Sequence, residues 1–165
     1  MNFQEVKEIL KLDSLDFEGG SFHEIYRCSV PASIPNRSCG TSIYYALEAK
    51  NVSRWHLVES DEIWFYHAGT PALQILLFPD GHFEKHIIGP NLKAGERPQS
   101  IIPVGVWQAA RLVDDSENSW GLFGATVFPG FEFSIAKVAN WSELAQKWPN
   151  AVDLVKESKL DIELP

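Results

Sequence analysis

The chain has 165 residues, 45% hydrophobic and 22% charged, a composition that excludes wholesale disorder and fits a domain of ordinary size able to bury its own core. Twenty-two acidic against fourteen basic residues give a formal net charge of −8. That balance repels a phosphate backbone and no basic run offers a local exception, so nucleic acid is not an expected partner. No apolar run approaches the ~20 residues of a membrane-spanning helix, so no membrane partner is expected either.

The first residues, MNFQEVKEILKL, mix charges with apolar side chains and contain no cleavable apolar core. No secretion signal is read there, and a cytoplasmic location is expected, in which Cys28 and Cys39 remain thiols. Phe3, Val6, Ile9 and Leu10 recur at helical spacing and predict an amphipathic helix over about 2–12. Its polar face, Glu5, Lys7, Glu8 and Lys11, is mixed rather than basic, so the helix is expected on the body of the protein and not on a lipid surface. Glu18-Gly19-Gly20 is a turn signal before a strand from Ser21 to Val30. The segment from Pro31 to Gly40, with two prolines, reads as a loop placed to cover an opening or touch a neighbouring subunit.

From Thr41 onward the pattern is one of short strands broken by turns. After Thr41 to Glu48 comes the densest stretch, SRWHLVESDEIWFYHAG from Ser53 to Gly69. Side chains two apart share a face of an extended chain. His56 and Val58 then face one way, and Trp55 and Leu57 the other. Glu62, Trp64 and Tyr66 share a face, with Ile63, Phe65 and His67 opposite. Large side chains on both faces of the second strand predict that both are covered, and Gly69 ends it at a turn.

Further strands follow at Ala72 to Phe78, His82 to Ile88, Gln99 to Pro103, Val106 to Val113 and Trp120 to Phe128, with an acidic loop at Asp114 to Asn118. Many strands with little helix between them argue for an antiparallel sandwich or barrel. Near the C-terminus Asn140 and Glu143 have capping-box spacing. Trp141, Leu144, Ala145 and Trp148 supply an apolar face before Pro149 stops the helix. The whole of 1–165 is read as one domain, with a barrel core over about 18–135 and peripheral helices over about 2–12 and 141–158.

The spacing of His56, Glu62 and Gly69 resembles the first signature of the cupin superfamily, with Val58 at its second histidine and Lys50 at its opening glycine. Pro103-Val104-Gly105-Val106-Trp107-Gln108 resembles the second signature, with Gln108 at the histidine. Together with EGG at Glu18 to Gly20, SDEIW at Ser60 to Trp64 and FPGFEF at Phe128 to Phe133, these motifs look like a branch of small single-domain cupins known as a domain of unknown function. The resemblance implies an all-β double-stranded β-helix, a jelly-roll-like barrel with minor helix, and a homodimer. The face carrying Ile63 and Phe65 is the candidate contact.

Three chemistries are open to such a chain. A pocket holding His56, Glu62 and Tyr66 as catalytic groups has the make-up for metal-independent proton transfer next to a carbonyl, as in isomerases and epimerases. Its ligand is expected to be a carbohydrate-like or other polar ring, held by Arg54, Trp64 and Gln108. The alternative is a divalent metal on His56, Glu62 and Gln108, set against the loss of a nitrogen donor at Val58. The third is a barrel that only binds or only supports. His23, His67, His82 and His86 have no evident partner and are expected at the surface or an interface. No phosphate loop, nucleophile elbow or paired-cysteine cluster is present.

Overall fold

The structure, a computed structural model, describes residues 1–164. Helix α1 (Phe3–Leu10) precedes the strands β1 (Asp13–Ser14), β2 (Ser21–Arg27), β3 (Thr41–Glu48), β4 (Val52–Val58), β5 (Asp61–Gly69), β6 (Ala72–Leu77), β7 (Phe83–Ile88), β8 (Gln99–Ile102), β9 (Trp107–Leu112), β10 (Trp120–Phe128) and β11 (Ala136–Val138). Two short helices, α2 (Trp141–Leu144) and α3 (Val152–Glu157), follow. The strands form two antiparallel sheets, ordered β1-β2-β3-β10-β5-β8 and β11-β4-β9-β6-β7. This is the mostly-β cupin sandwich that the motifs implied.

The apolar residues decide how the sheets lie. Tyr45, Leu47, Trp64 and Phe123 from the first sheet meet Leu76, Ile88, Ala110 and Leu112 from the second in one buried cluster between them. Trp64 packs against Tyr45 and Phe123 at ring separations of 5.1 and 5.7 Å and fills the middle of the barrel. The outer face of the second sheet is also apolar, with Trp55, Ile75, Leu77 and Ala109, and the C-terminal segment covers it with Trp141, Leu144, Trp148, Val155 and Leu160. That is why β4 carries large side chains on both faces.

Helix α1 packs Val6 against Ala46 and Leu12, as its stripe predicts. Its N-terminus is closed by a capping box of Asn2 and Glu5. The spacing of Asn140 and Glu143 misleads by comparison. Asn140 makes no side-chain cap to α2, and its Oδ1 accepts from the Leu164 amide at 2.7 Å instead. A four-residue helix gives its cap little to hold, while the returning tail offers a donor in the right place.

The loop from 28 to 40 is tied down at both ends. Cys28 donates its amide to the Gly40 carbonyl and Cys39 to that of Val30, and both thiols are free. Arg37 turns inward from this loop and is buried. Its Nε donates to the Gly130 carbonyl at 2.7 Å, and its Nη2 donates to the Pro129 carbonyl at 2.6 Å and to Ser60 Oγ at 2.7 Å. No helix is long and apolar enough to cross a membrane among the described residues.

Candidate functional site

A defect in β4 builds the site. Ser53 pairs with Ala110 and His56 with Gln108, so three steps along β4 match two along β9 and one extra residue bulges out. The bulge leaves the Arg54 peptide out of the ladder. Its carbonyl is taken by His56 Nδ1 at 2.7 Å, and its amide donates to the Glu18 carbonyl at 2.6 Å. A carbonyl can only accept, so Nδ1 carries the proton and Nε2 keeps a lone pair. The same bulge therefore fixes the imidazole tautomer and draws the turn bearing Glu18 against the barrel. Gly19 follows at φ 96°, where an added Cβ would sit 2.2 Å from the Val52 carbonyl oxygen, so this close approach requires glycine.

These contacts enclose a cavity of about 170 Å³ between the sheets at one end of the barrel. Its walls are apolar, including Phe22, Ile43, Val58, Val127, Phe131 and Phe133. Its floor is polar: Glu18, His56 and Glu62. Glu18 Oε2 lies 3.3 Å from His56 Nε2. Arg27 stands at the mouth, paired with Glu24 at 2.8 Å and Glu132 at 2.6 Å.

Burial governs the charges on this floor. It pushes the Glu18 carboxyl up to about 8. It also holds the His56 imidazole below its ordinary value, against the opposing pull of Glu62 and of the Arg54 carbonyl. Glu62 is raised by burial and by Glu18, with His56, Gln108 and Trp64 acting the other way. The Tyr45 phenol beneath is raised well above its ordinary value, chiefly by burial. At neutral pH the contact of Glu18 with His56 is thus one of a neutral acid with a neutral base.

Of the residues expected to converge, His56 and Glu62 do share the cavity, and Trp64 and Gln108 lie beneath it. Trp64 Nε1 donates to Glu62 Oε1 at 2.9 Å, and Gln108 Nε2 donates to Glu62 Oε2 at 2.6 Å. Neither lines the cavity itself. Tyr66 shares the face of Glu62 but stands four residues along the strand, about 13 Å at ~3.3 Å per residue. Trp64 lies between them, and the Tyr66 hydroxyl donates to the Gly69 carbonyl at 2.7 Å at the other end, so Tyr66 is no part of this site. Arg54 also points away, because it is the bulged residue; its Nη1 donates to the Asp16 carbonyl at 3.0 Å.

The metal expectation fails on the donors. Val58 is apolar, and both Glu62 oxygens already accept hydrogen bonds. Gln108 turns its nitrogen to Glu62 and its oxygen to Gln74. Among the described residues no group of three His, Cys, Asp or Glu converges as a metal set.

Residues that local pattern could not place complete the picture. Glu18, which the sequence shows only as part of a turn, lies on the cavity floor. Arg27 and Glu132 close the entrance from β2 and from the segment after β10. His86, expected at the surface, is buried, with Nδ1 2.8 Å from Ser100 Oγ. His67 and His82 are exposed as expected, and His82 pairs with Asp80.

Two facing antiparallel sheets, the signature strands on either side of one cavity and the second signature beneath it define a cupin. Residues 4–139 match the family model described as Cupin superfamily (DUF985), and the chain belongs to that family. A curated yeast relative, the uncharacterized protein YML079W of Saccharomyces cerevisiae, is 31% identical over 99 residues, which are 59% of this chain and 49% of the yeast protein. The match thus spans about half the length of that relative. Among solved structures, protein SO0799 from Shewanella oneidensis aligns over 99% of both chains with TM-score 0.88 and 30% identity. A hypothetical protein from Leishmania major aligns over 96% of this chain and 98% of its own with TM-score 0.85 and 22% identity. Oxalate decarboxylase of Bacillus subtilis shares the fold at TM-score 0.57 and 13% identity, over 92% of this chain and 35% of that one.

Proposed function

We propose that the cavity binds a small organic molecule with an apolar body and one polar edge, and that its floor is equipped for proton transfer without a metal. The observation that carries this reading is His56. Its Nδ1 proton is committed to the Arg54 carbonyl at 2.7 Å. Its Nε2 lone pair then faces an apolar enclosure beside a carboxyl that stays protonated near neutrality. A neutral base and a neutral acid side by side are what removal of a proton next to a carbonyl and its return to a neighbouring atom require. The ligand edge lies over the pair from the cavity side, giving a proton to Nε2 and receiving one from Glu18. This is the chemistry of an isomerase or epimerase.

The wall composition favours a ring with few hydroxyls over a fully hydroxylated sugar. Phe22, Phe131 and Phe133 offer faces and edges, whereas a sugar would need more donors and acceptors than three floor residues present. A panel of cyclic ketones and keto acids tests the reading in two ways, by thermal shift and by deuterium wash-in at the carbon beside the carbonyl in D2O. Both signals are expected for at least one compound and both are expected to vanish in His56→Gln. Exchange that survives that substitution overturns the assignment of the base.

A second copy of this chain is proposed as partner on the outer face of the first sheet, where Ile63 and Ile101 are cross-strand neighbours and Ile101 is 62% exposed. Light scattering at micromolar concentration is expected to give a dimer, and Ile101→Lys a monomer.

A further inference from the structure

Five polar side chains inside the barrel form one unbroken line from the cavity floor to the opposite side of the molecule. In the second sheet, His56 on β4 is the register partner of Gln108 on β9, and Gln74 on β6 is that of His86 on β7. Ser100 on β8, the partner of Trp64, enters from the first sheet. Gln108 Nε2 donates to Glu62 Oε2 at 2.6 Å, and Gln74 Nε2 to Gln108 Oε1 at 3.2 Å. Ser100 Oγ donates to Gln74 Oε1 at 2.6 Å, and His86 Nδ1 lies 2.8 Å from Ser100 Oγ. All five side chains are buried. The line ends at His86 Nε2, which faces a shallow cleft with Arg97 Nη1 at 3.0 Å and Glu84 Oε2 at 2.7 Å.

The directions of these bonds matter more than their number. As they stand, every donor points toward Glu62, which suits the ionised carboxylate. Ser100 gives its one proton to Gln74, so His86 must carry a proton on Nδ1, and its Nε2 accepts from Arg97 once the half-exposed Glu84 side chain turns away from its 2.7 Å contact with that nitrogen. Rotating both amides yields a second complete pattern. Protonated Glu62 then donates to Gln108, Gln108 to Gln74, Gln74 to Ser100 and Ser100 to His86 Nδ1, while His86 Nε2–H donates to Glu84. Any mixture of the two sets a buried donor against a donor or an acceptor against an acceptor, which interiors avoid. Nε2 has a partner ready for either pattern, since a guanidinium only donates and a carboxylate only accepts.

We propose that Gln108, Gln74, Ser100 and His86 are positioning residues that form a two-state relay, coupling the protonation of Glu62 on the cavity floor to the tautomer of His86 in the cleft on the far side. Protons balance without travelling along the line. Glu62 takes its proton from the cavity side, the amides and the Ser100 hydroxyl rotate, and His86 takes a proton on Nε2 from the far cleft and gives up the one on Nδ1 to solvent in a transient opening that turns the ring out of its contact with Ser100, so that its charge is unchanged. The charged and titratable groups facing the two ends are His56, Glu18 and Tyr45 at Glu62, and Glu84 and Arg97 at His86, with His82 Nε2 4.0 Å from Glu84. A ligand that changes the charge of Glu62 is thereby reported at the far cleft. Occupancy of that cleft in turn biases the cavity. The regulatory consequence rests on the cavity being a ligand site, whereas the relay belongs to the free protein.

Long-range 1H–15N spectra of histidine-labelled, ligand-free protein read the His86 tautomer directly. Glu62→Gln keeps the shape and offers Gln108 a permanent donor, so His86 is expected to move from Nδ1–H in the wild type to Nε2–H in the variant. Ser100→Ala in the same background is expected to abolish the dependence and Ser100→Thr to restore it. One and the same His86 tautomer in the folded wild type and the folded Glu62→Gln protein would overturn the relay. Should Glu62→Gln not fold, Arg97→Met, at an exposed residue, removes the donor that supports the first pattern. The 13C titration of the Glu62 carboxyl is then expected to move to higher pH, but not when Ser100→Ala is also present. An unmoved titration overturns the proposal equally. Failure of every candidate ligand would count against the cavity reading and leave these spectra unchanged.

Discussion

The carboxyl of Glu18 and the imidazole of His56 lie 3.3 Å apart, although one belongs to a turn before β2 and the other to the bulge of β4. Burial raises the Glu18 pKa to about 8 from 4.5, so the folded protein holds a proton that the unfolded chain has lost above about pH 4.5. By linkage this makes stability fall as pH rises from 4.5 to 8. Glu62, also raised, acts in the same sense. His56, lowered, acts oppositely, adding stability as pH rises toward 6.5, where the unfolded imidazole loses its proton. Between about pH 6.5 and 8 the carboxyls therefore dominate. Urea unfolding midpoints of the wild type are expected to fall over that interval and those of Glu18→Gln to stay flatter. Parallel slopes for the two proteins would contradict the burial of an acid at this position.

Trp55 ties the C-terminal segment to the second sheet. Its ring stacks on Trp141 at 5.5 Å and its Nε1 donates to the Leu160 carbonyl at 2.8 Å, with no exposed surface left. Trp55→Ala should cost about 3–5 kcal/mol, the range for deleting a buried indole. Because the next residue is His56, the same change should broaden its NMR signals before global unfolding. Loss of stability without any effect at His56 would mean that the outer clamp and the site are independent.

Much of this architecture could be read from the chain and some of it could not. Alternation placed Trp64 beside Glu62 on one face, because a strand period of two is a local property, and the resemblance to the cupin signature brought His56 and Glu62 to one cavity. Tyr66 was misplaced by the same rule, since sharing a face says nothing about distance along it. Arg54 was misplaced because a bulge shifts every inference about which way a side chain points. Glu18, Arg37 and His86 are local ambiguities that only register resolves. Their partners lie at Arg54 and His56, at Pro129 and Gly130, and at Ser100 and Arg97, and no window of sequence brings those pairs together.

Arg37 shows what such a long-range contact is worth. Its guanidinium holds two carbonyls of the segment leading to Phe131, a wall of the cavity. Arg37→Met removes charge-assisted hydrogen bonds of about 1.5–3 kcal/mol and frees that segment. Limited proteolysis within 128–135 should accelerate well beyond what the drop in global stability accounts for. Equal acceleration throughout the chain would show that Arg37 supports the fold as a whole rather than the cavity wall.

The donors on the floor also make a prediction about metals. A transition metal needs three or four good ligands at one point, and this cavity offers His56 Nε2 and the Glu18 carboxyl, which is largely protonated near neutral pH. The obstacles are two named residues. Val58, two positions along the same inward face from His56, brings no nitrogen. Gln108 caps Glu62 Oε2 at 2.6 Å and keeps that oxygen from turning into the cavity. Replacing both, Val58→His with Gln108→His, adds two imidazoles and releases the carboxylate. The double variant is expected to bind zinc or nickel near one equivalent by elemental analysis and to gain thermal stability on metal addition. The wild type, purified without a histidine tag, is expected to do neither. Near-stoichiometric metal in the wild type, lost in His56→Ala, would show that Glu62 and Gln108 rearrange to make a site, and would displace the metal-free reading of the cavity.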